Sequence, residues 1–225
     1  MESTSASPPL PTVPYTACYC EENVYLLGDA LTRLAPQDSL IYAVVISNAD
    51  RSAAIWEQKA SANGAQSDFL CIWDYHVVLC YKSRASSDVW IYDVDSRLGS
   101  PCPWQRYVDQ TFKALLILSD EDVISKRFRC QFRVVPIRDY LDNFSSDRSH
   151  MLTVSSDPSA RVYHAPPPSY PAITGPGALA TELPNNLMSH FVDMSFEGIG
   201  YGTVLEDTVF LKDVSWMENC QRSGS

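Results

Sequence analysis

The chain reads as an α+β domain with a mainly antiparallel central sheet flanked by helices. Three observations predict this: a helix-spaced apolar pattern near the start, a β-branched run directly after it, and two strand-like segments joined by a polar turn. Residues 21–34 place Val24, Leu27, Leu31 and Leu34 on one helical stripe. Glu21 and Glu22 fall at its start, where acidic side chains favour the positive end of the helix dipole. Leu40–Ser47 (LIYAVVIS) is short and apolar, as a buried strand should be, and residues 55–59 predict a weaker strand. Residues 73–82 and 88–95, separated by Ser83-Arg84-Ala85-Ser86-Ser87, predict an antiparallel hairpin. Residues 105–118 gather Tyr107, Val108, Phe112 and Leu115 on one side of a helix, and residues 129–137 read as a further strand. Prolines punctuate residues 155–176, including Pro166-Pro167-Pro168, so this stretch is irregular and lies over the surface of its own fold. Residues 187–192 predict a short helix capped by Asn185 or Asn186, and residues 201–205 a last strand. The expected organisation is a disordered tail over 1–14, one domain over 15–214 and a frayed tail over 215–225.

Composition narrows the function classes. The chain has 225 residues, 45% of them hydrophobic and 11% aromatic, enough for one large core. No run approaches the roughly 18 apolar residues of a membrane span, so no membrane partner is expected. The start lacks the basic and apolar regions of a secretory signal, which predicts a cytoplasmic protein, with the nucleus as a second expected location. A net charge of −10 argues against nucleic acid and suits cationic partners, including the α-ammonium of a peptide. Seven cysteines, an odd number in largely apolar contexts, predict free thiols in a reducing compartment. Zinc-ligand spacings, a Walker loop and a dinucleotide fingerprint are all missing, so no metal and no cofactor are expected. A monomer is the expected state.

The chemistry is carried by Cys18-Tyr19-Cys20-Glu21-Glu22-Asn23, Trp73-Asp74-Tyr75-His76-Val77 and Ile91-Tyr92-Asp93-Val94-Asp95. A thiol at a helix start, followed by a histidine and an acid on successive strands, is the order of a thiol acyl-transfer site. The helix dipole would lower the Cys20 pKa, although Glu21 and Glu22 oppose this if their side chains lie close, so a histidine partner is required. With Tyr81 paired to Asp88, His76 lies opposite Asp93; a two-residue change in loop length puts Asp95 there instead. Strand alternation places Trp73 and Tyr75 on the face opposite His76, in core packing.

These segments resemble the protein N-terminal glutamine amidohydrolases, which are characterised by Trp-Asp-Tyr-His-Val. The resemblance runs from Tyr15 to about Leu211 and takes in Asp147-Arg148-Ser149-His150 and Pro166-Pro167-Pro168-Ser169-Tyr170-Pro171. It implies a papain/transglutaminase-like architecture and a catalytic triad of Cys20, His76 and Asp93. The implied reaction is deamidation of an N-terminal glutamine to glutamate through a thioester, preparing proteins for arginyl transfer in the N-degron route. Substrate selection then needs an acceptor for the α-ammonium, for which Glu21, Asp74 and Asp147 are the candidates because each adjoins a motif segment.

Other readings compete. The same triad serves thiol proteases and transglutaminases, and a decayed site would leave a peptide N-terminus recognition module. Cys20 alone reads most simply as a buried structural thiol and His76 as a hydrogen-bonded core histidine. His150 reads as structural, with Arg148 paired to an acid.

Overall fold

The computed structural model describes residues 8–84, 86–112, 126–153, 162–196 and 199–221. Helix α1 (Cys20–Leu34) comes first, then strand β1 (Leu40–Ser47). Every residue of β1 is buried, which is why its sequence is apolar without alternation. Short strands β2 (Ala53–Ile55) and β3 (Cys71–Trp73) pair with each other in a separate two-stranded sheet. Strands β4 (His76–Lys82), β5 (Val89–Tyr92) and β6 (Cys102–Pro103) follow, then helix α2 (Trp104–Thr111), strand β7 (Gln131–Pro136) and helix α3 (Ile137–Asn143). The chain ends with helix α4 (Pro176–Ala180), a π-helical turn at Leu187–Phe191, strand β8 (Thr203–Glu206) and helices α5 (Asp207–Phe210) and α6 (Trp216–Gln221).

The main sheet has the order β6-β5-β4-β1-β7-β8, and each neighbouring pair is antiparallel. Period-2 alternation sends its side chains into two cores. On one face, Tyr42, Val44, Val78, Ile91 and Phe132 pack with Tyr107, Phe112, Phe210 and Trp216. On the other, Ala43, Val45, Val77, Leu79 and Val135 pack with Val24, Leu27 and Leu31 of α1 and with Ile137 and Tyr140 of α3. Gly28 lets α1 come close to α3: a Cβ there would sit 2.4 Å from Ile137 Cδ1. The arrangement is one α+β domain.

Several expectations need correction. The hairpin register pairs Lys82 with Val89 and Leu79 with Tyr92, so by extrapolation His76 faces Asp95, the alternative register. The 73–82 strand is broken, since β3 ends at Trp73 and β4 begins at His76. Only Ile55 of residues 55–59 belongs to a strand. The helix expected over 105–118 is seen as α2 up to Thr111, and residues 113–125 lie outside the described residues. Residues 137–143, expected to continue only as strand to 137, form α3. Asn186 caps nothing with its side chain; it is buried and ties Asn143 O to the Ser145 N–H. Of the N-terminal tail, residues 1–7 lie outside the description, while Pro9 O accepts the Tyr92 hydroxyl and Val13 packs on the α1 core.

The C-terminal segment does not fray over 216–221. Trp216 and Met217 are buried, the Trp216 ring lies 4.9 Å from that of Phe210 and 5.6 Å from that of Tyr42, and Tyr42 Oη donates to Met217 O at 2.6 Å. A buried tryptophan truncated to alanine loses its burial and leaves a cavity. Trp216→Ala is expected to cost about 3–5 kcal/mol in a chemical denaturation experiment, by analogy with large-to-small core substitutions. A change within about 0.5 kcal/mol, the surface norm, would mean a frayed end after all.

Candidate functional site

The site is built on an oddity of α1: its first turn is polar yet buried. Glu21, Glu22 and Asn23 are all nearly inaccessible, and the side chain of the N-cap residue Tyr19 does not cap the helix. Burying such groups costs several kcal/mol unless each is paired, so their partners define the local architecture. Asn23 exchanges two hydrogen bonds with the Thr16 backbone, its Nδ2 donating to O at 2.8 Å and its Oδ1 accepting from N–H at 2.9 Å. That clamp closes the loop carrying Cys18, whose φ of 67° turns the chain into the helix. Glu22 accepts Arg148 Nε and Nη2 at 2.7 and 2.8 Å, a bidentate pair. Arg148 also donates to Pro168 O and Tyr170 O, so the proline-rich loop is fastened to the helix start. This loop packs on its own fold, and Arg148 is paired to an acid, both as expected.

His76 opens β4 opposite Ile46 and is fully buried. Its Nε2 stands 3.0 Å from Asp93 Oδ1. Asp93 lies just past the end of β5, where a turn (Ser96 N–H to Asp93 O, 3.3 Å) brings its carboxylate to the ring. This departure from the ladder lets Asp93 hold His76 although the strand register points to Asp95. The same carboxylate accepts Asp95 N–H at 3.0 Å, Tyr107 Oη at 2.8 Å and Gln58 Nε2 at 3.4 Å. Burial raises the Asp93 pKa, but the neighbouring imidazole and these donors outweigh it and hold the acid below its ordinary range. An ionised Asp93 accepts only, so Nε2 carries the hydrogen and the neutral ring keeps its lone pair on Nδ1, which has no hydrogen-bond partner among the described residues. Burial pulls the His76 pKa down, yet the Asp93 charge and hydrogen bond outweigh it, and the net shift is upward. Trp73 stacks on the imidazole with centroids 5.1 Å apart and planes 18° from parallel.

The backbone N–H of Val77, the residue after His76, pulls the Cys20 pKa down, though only in part. Sγ is 3.7 Å from Glu21 Oε2. Burial pushes the thiol well above its ordinary pKa, and the Glu21, Asp95 and Asp74 carboxylates push the same way. The helix dipole therefore does not prevail, and the resting sulfur is protonated. Tyr75 Oη lies 3.0 Å from Glu21 Oε2 and 3.1 Å from His150 Nε2. Trp73 and Tyr75 thus border the site as well as packing with the cores, Tyr75 in one and Trp73 against the other. The break at Asp74 cancels the strand alternation that assigned them elsewhere. His150 also belongs here, with Nε2 3.4 Å from Glu21 Oε1.

Of the three acids expected to meet a cation, Glu21 lies against the thiol. Asp74 is exposed and caps the Tyr75 N–H at 2.9 Å. Asp147 is exposed and engaged by Ser149 N–H at 2.9 Å and Asn185 Nδ2 at 2.7 Å, and its hydrogen bonds with Ser149 outweigh its partial burial to hold its pKa low. Among the described residues, one group has metal-ligand spacing: His76, Asp93 and Asp95. Its oxygens are committed to N–H and O–H donors, including Tyr15 Oη on Asp95 Oδ1 at 2.5 Å, so the set fits hydrogen bonding better than a cation.

A family model described as N-terminal glutamine amidase matches residues 15–214. The protein N-terminal glutamine amidohydrolase of Bos taurus is 40% identical over 202 residues, covering 88% of this chain and 86% of its own length. The protein of the same name from Homo sapiens is 41% identical over 170 residues, 75% of each chain. That of Drosophila melanogaster is 36% identical over 200 residues, covering 88% and 87%.

The upward shift of His76 stabilises the fold fully below about pH 6.5 and is lost as pH rises through the folded value. The downward shift of Asp93 stabilises it above about pH 4 and is lost as pH falls through the folded value. Asp93→Asn should move the His76 titration, followed by ring-proton NMR, to lower pH, because burial then acts with less opposition. An unchanged or higher midpoint would contradict the pairing. Arg148→Met strands Glu22 in the interior and should cost about 3–5 kcal/mol of folding free energy, read by denaturant titration.

Proposed function

The chain belongs to the N-terminal glutamine amidase family, and from that premise we propose that it hydrolyses the side-chain amide of an N-terminal glutamine. The products are N-terminal glutamate and ammonia. The observation that carries the residue assignment is His76, locked by Nε2 onto ionised Asp93 with Nδ1 unpartnered, beside a thiol at a helix start. Cys20 is the nucleophile, His76 the proton carrier and Asp93 the group that fixes the imidazole tautomer.

Each step follows from that arrangement. Nδ1 takes the thiol proton as Sγ attacks the side-chain carbonyl carbon, so the thiolate forms as it reacts, not as a standing ion pair. The oxygen of the tetrahedral intermediate becomes anionic and is received by N–H groups of the uncapped first turn of α1, that of Cys20 foremost. As the intermediate collapses the carbon–nitrogen bond breaks, Nδ1–H protonates the departing nitrogen, and ammonia leaves a γ-glutamyl thioester. Water then adds to the thioester, giving a proton to Nδ1. The carbon–sulfur bond breaks, and Sγ recovers that proton. Asp93 stabilises the imidazolium both times it forms.

A helix-borne thiol set against a sheet that carries imidazole and acid supports a papain/transglutaminase-like architecture. Substrates are proteins or peptides with glutamine at position one. The product, an N-terminal glutamate, is the kind of end that an arginyl transferase would extend, which places the reaction upstream of arginylation in an N-degron route. The protein would work as a monomer in the cytoplasm, with the nucleus as a second location.

The test is mass spectrometry of a peptide with glutamine both at its N-terminus and internally. A gain of about 1 Da, the amide-to-acid exchange that thioester hydrolysis produces, is expected at the terminal residue alone and should vanish in folded Cys20→Ala. Chain cleavage or incorporation of an added amine would reassign the triad to proteolysis or transglutamination. No reaction by the folded protein would leave peptide-end recognition.

A further inference from the structure

Two buried acids sit side by side at the start of α1 and are treated differently. Glu22 is neutralised by bidentate Arg148. Glu21, equally buried, has no Lys or Arg partner among the described residues: its Oε2 takes the Tyr75 hydroxyl, and its Oε1 is enclosed with no hydrogen bond from them. His150 Nε2, at 3.4 Å, does not form a hydrogen bond with Oε1. Tyr75 has one hydroxyl hydrogen, and an ionised carboxylate is its stronger acceptor. Tyr75 therefore donates to Glu21, and His150 Nε2–H donates to Tyr75 Oη, leaving Oε1 free. An enclosed carboxylate oxygen without a partner is costly, and a cation is the occupant that best relieves the cost. Glu21 Oε2 is also 3.7 Å from Cys20 Sγ, within reach of groups a few bonds from the reacting carbon.

We propose that Glu21 Oε1 receives the α-ammonium of the substrate's terminal glutamine, with Tyr75 and His150 as positioning residues that hold the carboxylate. This rests on the deamidation reading and names the group that makes it specific for a chain end. An internal glutamine offers a neutral amide at that place, and leaves the Glu21 charge unmatched. Asp74 and Asp147, exposed and already accepting backbone or amide hydrogens, offer no comparable unfilled acceptor. The binding has a second effect. Glu21 is the foremost of the charges that oppose thiolate formation at Cys20, so an arriving ammonium removes much of that opposition. The site thereby becomes more reactive when the correct end is seated.

The experiment compares a peptide starting with glutamine against the same peptide starting with its desamino analogue, in which hydrogen replaces the α-amino group. Wild type should prefer the amino form by about 100-fold or more in kcat/KM, the scale of one lost charged hydrogen bond in a site built for it. Glu21→Gln should bring the ratio to within about threefold of unity, and Tyr75→Phe should reduce it partway. The ratio is insensitive to the fraction of folded enzyme. If Glu21→Gln is inactive, calorimetric binding of the two peptides to Cys20→Ala, with and without Glu21→Gln, gives the same ratio without turnover. A ratio preserved in Glu21→Gln would overturn the assignment while leaving deamidation intact. Failure of wild type to convert the glutamine peptide at all would instead overturn the underlying reaction.

Discussion

Burial of the polar first turn of α1 is the constraint on which the rest of the site depends. Charged groups enter a protein interior only with partners, and each of the three residues after Cys20 recruits a different one. Asn23 closes the loop in front of the helix through Thr16, Glu22 draws Arg148 and the proline-rich loop, and Glu21 draws Tyr75 from the segment ahead of β4. These contacts bring segments remote in sequence around one sulfur atom. The sheet supplies the other half, since the first residue of β4 places His76 where the residue just beyond β5 can hold it.

The electrostatics argue against a permanently activated thiol. Burial and three carboxylates keep Cys20 protonated at rest, while Asp93 raises the pKa of His76 against the effect of its burial; in the proposed reaction that basicity serves the proton transfer. A buried, protonated thiol of this kind does not present a standing thiolate to oxidants. Tyr107 and Gln58, from outside the sequence motifs, complete the hydrogen bonding of Asp93 and so fix the tautomer on which the proton transfer depends.

The sheet's centre was legible because β1 is buried on both faces and its sequence is therefore apolar throughout. Helix α1 was legible from its stripe of Val24, Leu27 and Leu31. The helical end at 216–221 was not, because in the sequence the polar Glu218 and Asn219 follow directly on the two residues that anchor it. Periodicity misplaced Trp73 and Tyr75 because it was carried through Asp74, where the strand stops. Geometry alone left Asp93 and Asp95 as alternatives. The register matches the choice that favours Asp95, and a turn after Tyr92 reverses its consequence. His150 sits in a short turn, and its partners Tyr75 and Glu21 are far away in sequence, so local pattern carried no sign of its place beside them.

The central claim is that Cys20 forms a covalent acyl bond with the glutamine side chain. Rapid acid quench of the enzyme during turnover, followed by intact-mass analysis and peptide mapping, tests it most directly. The account predicts a transient adduct equal to the substrate mass less one ammonia, attached at Cys20 and decaying as glutamate product accumulates. Continued turnover without any adduct on a fully sampled time course, or an adduct on Cys18 in place of Cys20, would contradict it.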